Sequence, residues 1–173
     1  MEVLGDYTPS VIKALSEIDK NWKKYEGLVI CGSHNPTDYE YLISRIKEAR
    51  ENEIPFYGEC YGHQLAAIEY ARNVMGIKDA TSEEFGEGTF VVKKLPELIV
   101  GLKNGESYWN NYEVDFPMFE IVKPKWFFTA QYHASYQSSK FKRHPLISNF
   151  LKYAKMAMQN SKKPRRWFRW NIL

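Results

Sequence analysis

The chain has 173 residues, 44% of them hydrophobic, which suits one domain with a sizeable core and leaves no room for two. No apolar run approaches membrane-spanning length, "MEVLGDYTPS" lacks the basic-then-apolar order of a signal peptide, and two cysteines cannot make a disulfide framework, so a reduced, cytoplasmic protein with no membrane span is expected. The net charge of +3 is unevenly laid: the last 53 residues hold 12 Lys/Arg and no acid, whereas the first 120 hold 12 Lys/Arg against 21 acids.

In chain order, "EVLGDY" reads as a short strand, and Pro9 opens a helix in which Val11, Ile12, Leu15, Ile18 and Trp22 recur at helical spacing. "GLVICGS" is an apolar run ended by Gly and Ser, as in a buried parallel strand. "NPTDYEYLISRIKEARENE" follows as a helix, with Thr37 or Asp38 to cap it and Leu42, Ile43, Ile46 and Ala49 on one face. "IPFYGEC" is a further strand, and "GHQLAAIEYARNVMG" a helix stopped at Gly76. Strand and helix alternate three times, which predicts right-handed crossovers and an α/β fold: a central, mostly parallel sheet flanked by helices.

The second half is less regular. "GTFVVKKL", "SYWNNYEV" and "MFEIVK" read as short strands of a small antiparallel addition, and "WFFTAQYH" as a strand returning to the main sheet. "HPLISNFLKYAKMAMQ" is the last helix, with Leu146, Ile147, Phe150, Leu151 and Ala154 inward. The expected division is a domain over residues 1–160 and a basic, Trp-rich tail over 161–173. The tail "KKPRRWFRW" fits packing of its aromatics on the domain, or an anionic partner that binds phosphates and stacked bases or presents a membrane surface.

The chemistry concentrates at "PFYGECYGHQ". Gly-x-Cys-x-Gly between a strand and a helix is the thiol counterpart of a nucleophile elbow. Glycines two residues either side of Cys60 let strand and helix approach closely, the helix N-terminus favours thiolate, and the Tyr61 N–H would face an oxyanion. A glycine turn around a buried cysteine is the plainer reading. A histidine at the end of a later strand, His133 in "AQYHAS", supplies the base such a dyad needs.

These segments carry a resemblance. "IPFYGECYGHQLAAIEYARNVMGIKDATSEEF" resembles the glutaminase domain of CTP synthase, a class I glutamine amidotransferase, as do "NNYEV" and "FTAQYHAS". "GDYTPSVIKAL", "GSHNPTD" and "HPLISNFL" are similar to small stand-alone CTP-synthase-like proteins. The resemblance covers roughly residues 1–155 and includes no synthetase domain. It implies a flavodoxin-like amidotransferase fold, with Cys60 as nucleophile and His133 as general base. Backbone near Gly32 and Ser33, with the Tyr61 N–H, stands at the oxyanion hole, and Gln64 and Glu84 stand where the family holds its substrate.

Three positions depart from that pattern. Ser135 stands at the family's triad acid, Asn111 at its carboxylate-binding arginine, and Ser33 at the second oxyanion glycine. A missing acid weakens the hold on the imidazole, and Asn cannot replace a bidentate clamp. Glu59 is a possible substitute acid, although strand alternation points it away from the nucleophile; pairing with a basic side chain is its plainer explanation. His63 and His144 read as structural and Cys31 as a packed residue, while His34 could line the pocket. The His and Cys spacing fits no zinc site, and no cofactor is expected. The leading expectation is cysteine-dependent hydrolysis of an amide or related acyl substrate only loosely like glutamine, with a separate synthetase as a possible partner. The alternatives are a non-catalytic binding or regulatory protein that keeps the elbow as architecture, and an anion-binding accessory protein. A partly exposed thiolate with His133 in reach would favour catalysis; a buried thiol or blocked pocket would favour a relic.

Overall fold

Parallel strands need long crossovers, so each apolar run is followed by a helix that lays one face on the sheet. The computed structural model describes residues 1–33 and 38–161. Its main sheet has the order β1-β2-β3-β7, all parallel, formed by β1 (Glu2–Leu4), β2 (Leu28–Ile30), β3 (Phe56–Glu59) and β7 (Phe127–Ala130). The helices α2 (Tyr39–Glu51) and α3 (Tyr61–Asn73) cover one face, where Ile43, Ile46, Leu65 and Ile68 join Ile30, Phe56 and Phe127. On the other face α1 (Thr8–Ile18) and α6 (Pro145–Ser161) bring Leu15, Ile147 and Phe150 onto Val29 and Tyr57, with the short α5 (Ala134–Gln137) beside them. A buried ion pair joins α2 to α3, with Arg50 3.0 Å from Glu69.

A second sheet, β4-β5-β6, stands against α3. It comprises β4 (Ala80–Ser82), β5 (Thr89–Lys103) and β6 (Glu106–Val114), with β4 and β5 parallel and β5 and β6 antiparallel. Asn104 and Gly105 turn the hairpin with φ of 53° and 82°, the left-handed values a tight two-residue turn requires.

Several expectations are corrected. "MFEIVK" lies largely in a helix, α4 (Pro117–Val122), not a strand: Pro117 opens it and only Phe119 is buried. β5 runs on to Lys103 instead of stopping near Leu95, with a register shift between Lys94 and Ile99 around Pro96, which has no N–H for the ladder. The first helix ends at Ile18, and Trp22 falls in a separate 3₁₀ turn, still buried. Asp38 holds the N-cap position of α2 in a left-handed conformation with no side-chain cap bond. Thr37, His34 and residues 162–173, and so nearly all of the basic tail, lie outside the described residues. Among the described residues no helix is long and apolar enough to cross a membrane.

Candidate active site

The carboxyl ends of β2, β3 and β7 are neighbours, so the segments that leave them meet at one edge of the sheet. Cys60 leaves β3 with φ 50° and ψ −101°, a conformation that L residues rarely adopt, and α3 begins at the next residue. The glycines explain how this turn closes. A Cβ on Gly58 would lie 2.8 Å from the carbonyl carbon of Gly62, and one on Gly62 would lie 2.2 Å from the Ile30 carbonyl oxygen. The Cys60 N–H donates to the Ala130 carbonyl (2.9 Å), tying the turn to the end of β7 three residues before His133.

The Cys60 sulfur is enclosed. The residue is 7% exposed, its thiol donates to the Trp109 carbonyl of β6 at 3.8 Å, and the Gln131 amide donates to the sulfur at 3.5 Å. Burial pushes the thiol pKa up to about 12 against the opposing pull of the Tyr61 N–H and Gln131, with Glu59 and Glu84 adding to the rise. Cys60 in this form is therefore a neutral thiol, and the expected thiolate at the helix N-terminus gives way to desolvation. Gln64 is buried next door; its amide donates to the Tyr112 carbonyl (2.9 Å) and to Gln131 (3.3 Å). Gln131 thus links Gln64 to the sulfur, a role that sequence reading missed. Its only signal was a polar residue at the end of β7, two places before His133.

Strand alternation puts Phe56 and Gly58 toward α3, and Tyr57 and Glu59 toward the opposite face. That second face is where α5 delivers Ser135, with His133 at its N-cap. Glu59, 1% exposed, accepts hydrogen bonds from the Tyr57 hydroxyl, the Ser135 N–H (2.6 Å) and the Ser135 hydroxyl (2.8 Å). Its second oxygen lies 3.9 Å from Nδ1 of His133. Among the described residues its partners are thus hydroxyls, a backbone N–H and the His133 imidazole, with no Lys or Arg. Burial raises the Glu59 pKa, and the donors from Tyr57 and Ser135 pull against it. His133 is itself buried, stacks on Tyr136 with ring centroids 4.7 Å apart, and presses Cε1 to 3.0 Å from where a Gly32 Cβ would stand. Gly32 follows β2, and the Ser33 hydroxyl beyond it donates to Asp6.

Other predicted residues fall around this edge. Glu84 sits in the turn after β4, where the adjacent Phe85 ring meets Tyr61 edge-on at 6.1 Å; burial raises its pKa. Asn111 is exposed on β6, while its neighbour Asn110 is buried and donates to the Tyr112 carbonyl (2.9 Å). His63 is buried against Phe119 with Nδ1 3.1 Å from the Thr129 hydroxyl, and burial lowers its pKa to about 3, so it stays neutral. His144 lies 3.2 Å from Glu106, and Cys31 is packed in the core with its thiol pKa raised by burial.

Residues 6–118 match the family model of the class I glutamine amidotransferases. A CTP synthase of Methanoregula boonei is 53% identical over 75 residues, covering 43% of this chain and 14% of that protein. A CTP synthase of Pelagibacter ubique is 29% identical over 201 aligned residues, covering 82% of this chain and 37% of that protein. The chain thus spans little more than a third of these relatives at most. Among solved structures, the Trypanosoma brucei CTPS glutaminase domain with bound acivicin superposes with a TM-score of 0.72 at 20% identity, over 96% of this chain and 95% of that one, and so shares the fold. With well over half its length matched by the family model, the chain belongs to the class I glutamine amidotransferases.

Proposed function

We propose that the chain is a cysteine-dependent amidohydrolase of the amidotransferase type, in which Glu59 takes the place of the missing triad acid. The observation that carries this reading is the Glu59 carboxylate: buried, held by three donors from Tyr57 and Ser135, and 3.9 Å from His133 Nδ1. A carboxylate buried, as this one is, without a Lys or Arg among the described residues is costly, and such groups concentrate where chemistry uses them. Ser135, at the family's acid position, then serves as the clamp that holds the relocated acid.

In the proposed reaction Cys60 Sγ bonds to the carbonyl carbon of a primary amide while its proton passes to His133. Glu59 orients the imidazole and balances the imidazolium that forms. The Tyr61 N–H and the backbone near Gly32 and Ser33 receive the oxyanion. His133 returns the proton to the leaving nitrogen, the C–N bond breaks and ammonia departs. Water, deprotonated by His133, then cleaves the thioester, giving the carboxylic acid and the free thiol. The substrate carbonyl must first replace the Trp109 carbonyl beside the sulfur, so the hairpin shifts before each turnover. Ammonia then goes to solvent or to a separate synthetase.

The burial of Cys60 favours a second reading, a binding or regulatory protein that keeps the elbow as architecture. One experiment separates the two. Ammonia release from primary amides is measured for wild type and Cys60→Ala, with intact mass after exposure to an amide-derived chloromethyl ketone. We expect release that Cys60→Ala abolishes, an adduct on Cys60, and slow turnover of glutamine itself. No release and no adduct would leave the binding protein as the correct reading.

A further inference from the structure

We infer that the site accepts an amide whose tail carries a positive charge and no free carboxylate; this rests on the amide reading above and names its substrate class. The charged neighbours of the nucleophile are acids. Glu59 and Glu84 act on Cys60, Glu84 with Asp6 and Asp38 on Tyr61, and Glu84 with Glu83 on Tyr112. Among the described residues, no Lys or Arg is among the groups acting most strongly on these three side chains. Packing fixes this arrangement: Phe85 stacks on Tyr39 at 4.1 Å and meets Tyr61 edge-on, which sets the Glu83–Glu84 turn and the Asp38 end of α2 over the start of α3.

Among the described residues, Lys93 is paired with Asp115 and Lys123 with Glu120. Glu84, half-buried, makes no side-chain hydrogen bond or ion pair among the described residues.

A second observation is independent of these charges. Asn110 is 5% exposed, and its Oδ1 is buried with no hydrogen-bond partner among the described residues. Its Nδ2 shares the Tyr112 carbonyl with Gln64, whose amide runs through Gln131 to the Cys60 sulfur. An unfilled acceptor in that network calls for a donor. An ammonium or amide N–H is the kind of donor that the Asn110 Oδ1 and the Glu84 carboxylate each lack among the described residues, whereas a free carboxylate would find an acid at Glu84 and an acceptor at Asn110, with Asn111 exposed.

The test holds the side-chain amide constant and varies charge. Glutaminamide (cation), N-acetylglutaminamide (neutral), glutamine (zwitterion) and N-acetylglutamine (anion) are titrated calorimetrically into Cys60→Ala and into Cys60→Ala/Glu84→Gln. We expect glutaminamide to bind at least about tenfold more tightly than any other member, and the advantage over the neutral amide to fall below about threefold without Glu84, in line with an ion pair worth about 1.4 kcal/mol. Binding of glutamine or N-acetylglutamine as tight as that of glutaminamide, a preference that survives Glu84→Gln, or no binding by any member would each overturn the inference. Binding to Cys60→Ala needs no turnover. If wild type releases no ammonia yet the charge order holds, hydrolysis fails and the specificity stands; if it hydrolyses glutamine fastest, the reverse is true.

Discussion

Replacing Glu59 with Gln removes one charge and almost no volume, so it separates the acid's part in chemistry from its part in the fold. At 3.9 Å from His133, and with an effective dielectric constant of about 20, the carboxylate favours an imidazolium by about 4 kcal/mol. Losing that slows the chemical step by about three orders of magnitude. Stability moves the other way. Because burial raises the folded pKa of Glu59 above its ordinary 4.5, the folded state binds more protons above pH 4.5, and stability falls as pH rises through the raised value. Glu59→Gln abolishes that decline and is at least as stable as wild type at pH 7, since an amide still pairs with Ser135 and Tyr57. Glu59→Ala instead leaves those donors unpaired, at about 1–3 kcal/mol each. The assay pairs urea unfolding between pH 4 and 8 with ammonia release from the best amide of the charge series. A Glu59→Gln protein within about threefold of wild-type rate, or one whose rate loss follows a loss of stability, would refute the assignment of Glu59 as the acid.

Two further outcomes test the turn. At pH 7.5 a thiol of pKa about 12 carries three to four orders of magnitude less thiolate than an ordinary cysteine of about 8.5, so iodoacetamide labels Cys60 slowly, with a rate rising about tenfold per pH unit. Cys31, 0% exposed, is labelled only on unfolding; peptide mapping that found Cys31 modified first would contradict this. Gly62→Ala places a methyl 2.2 Å from the Ile30 carbonyl, which is backbone and cannot swing aside; we expect a loss of about 3 kcal/mol in urea unfolding, and an unchanged midpoint would show that strand and helix part more easily than drawn.

The first half of the fold was legible because its signals are local. Apolar runs of strand length alternate with 3.6-residue periodicity, and Gly58 and Gly62 flag the close approach at the elbow. The hairpin was harder. Leu98, Val100 and Leu102 of β5 are exposed, so no buried face imposes an alternating pattern on that stretch, and Pro96 suggested a strand end where there is only a register shift. Met118, Ile121 and Val122 read as strand residues, yet Pro117 starts a helical turn that buries Phe119 alone. At the site, alternation correctly sent Glu59 to the face opposite Gly58. What a linear reading could not supply is that α5 carries Ser135, 76 residues away, to that same face. The Trp109 contact is made by a backbone carbonyl, which no side-chain pattern announces.

The carboxylate beside His133 adjoins Cys60 in the chain, so a single strand end places two of the three groups at this edge. Only the histidine comes from elsewhere. The stretch after His133 supplies the Ser135 hydroxyl and N–H that bond this carboxylate, and holds no acid of its own. The final 53 residues hold no acid, so a carboxylate this chain sets beside His133 comes from its first 120 residues, and the one 3.9 Å away is Glu59.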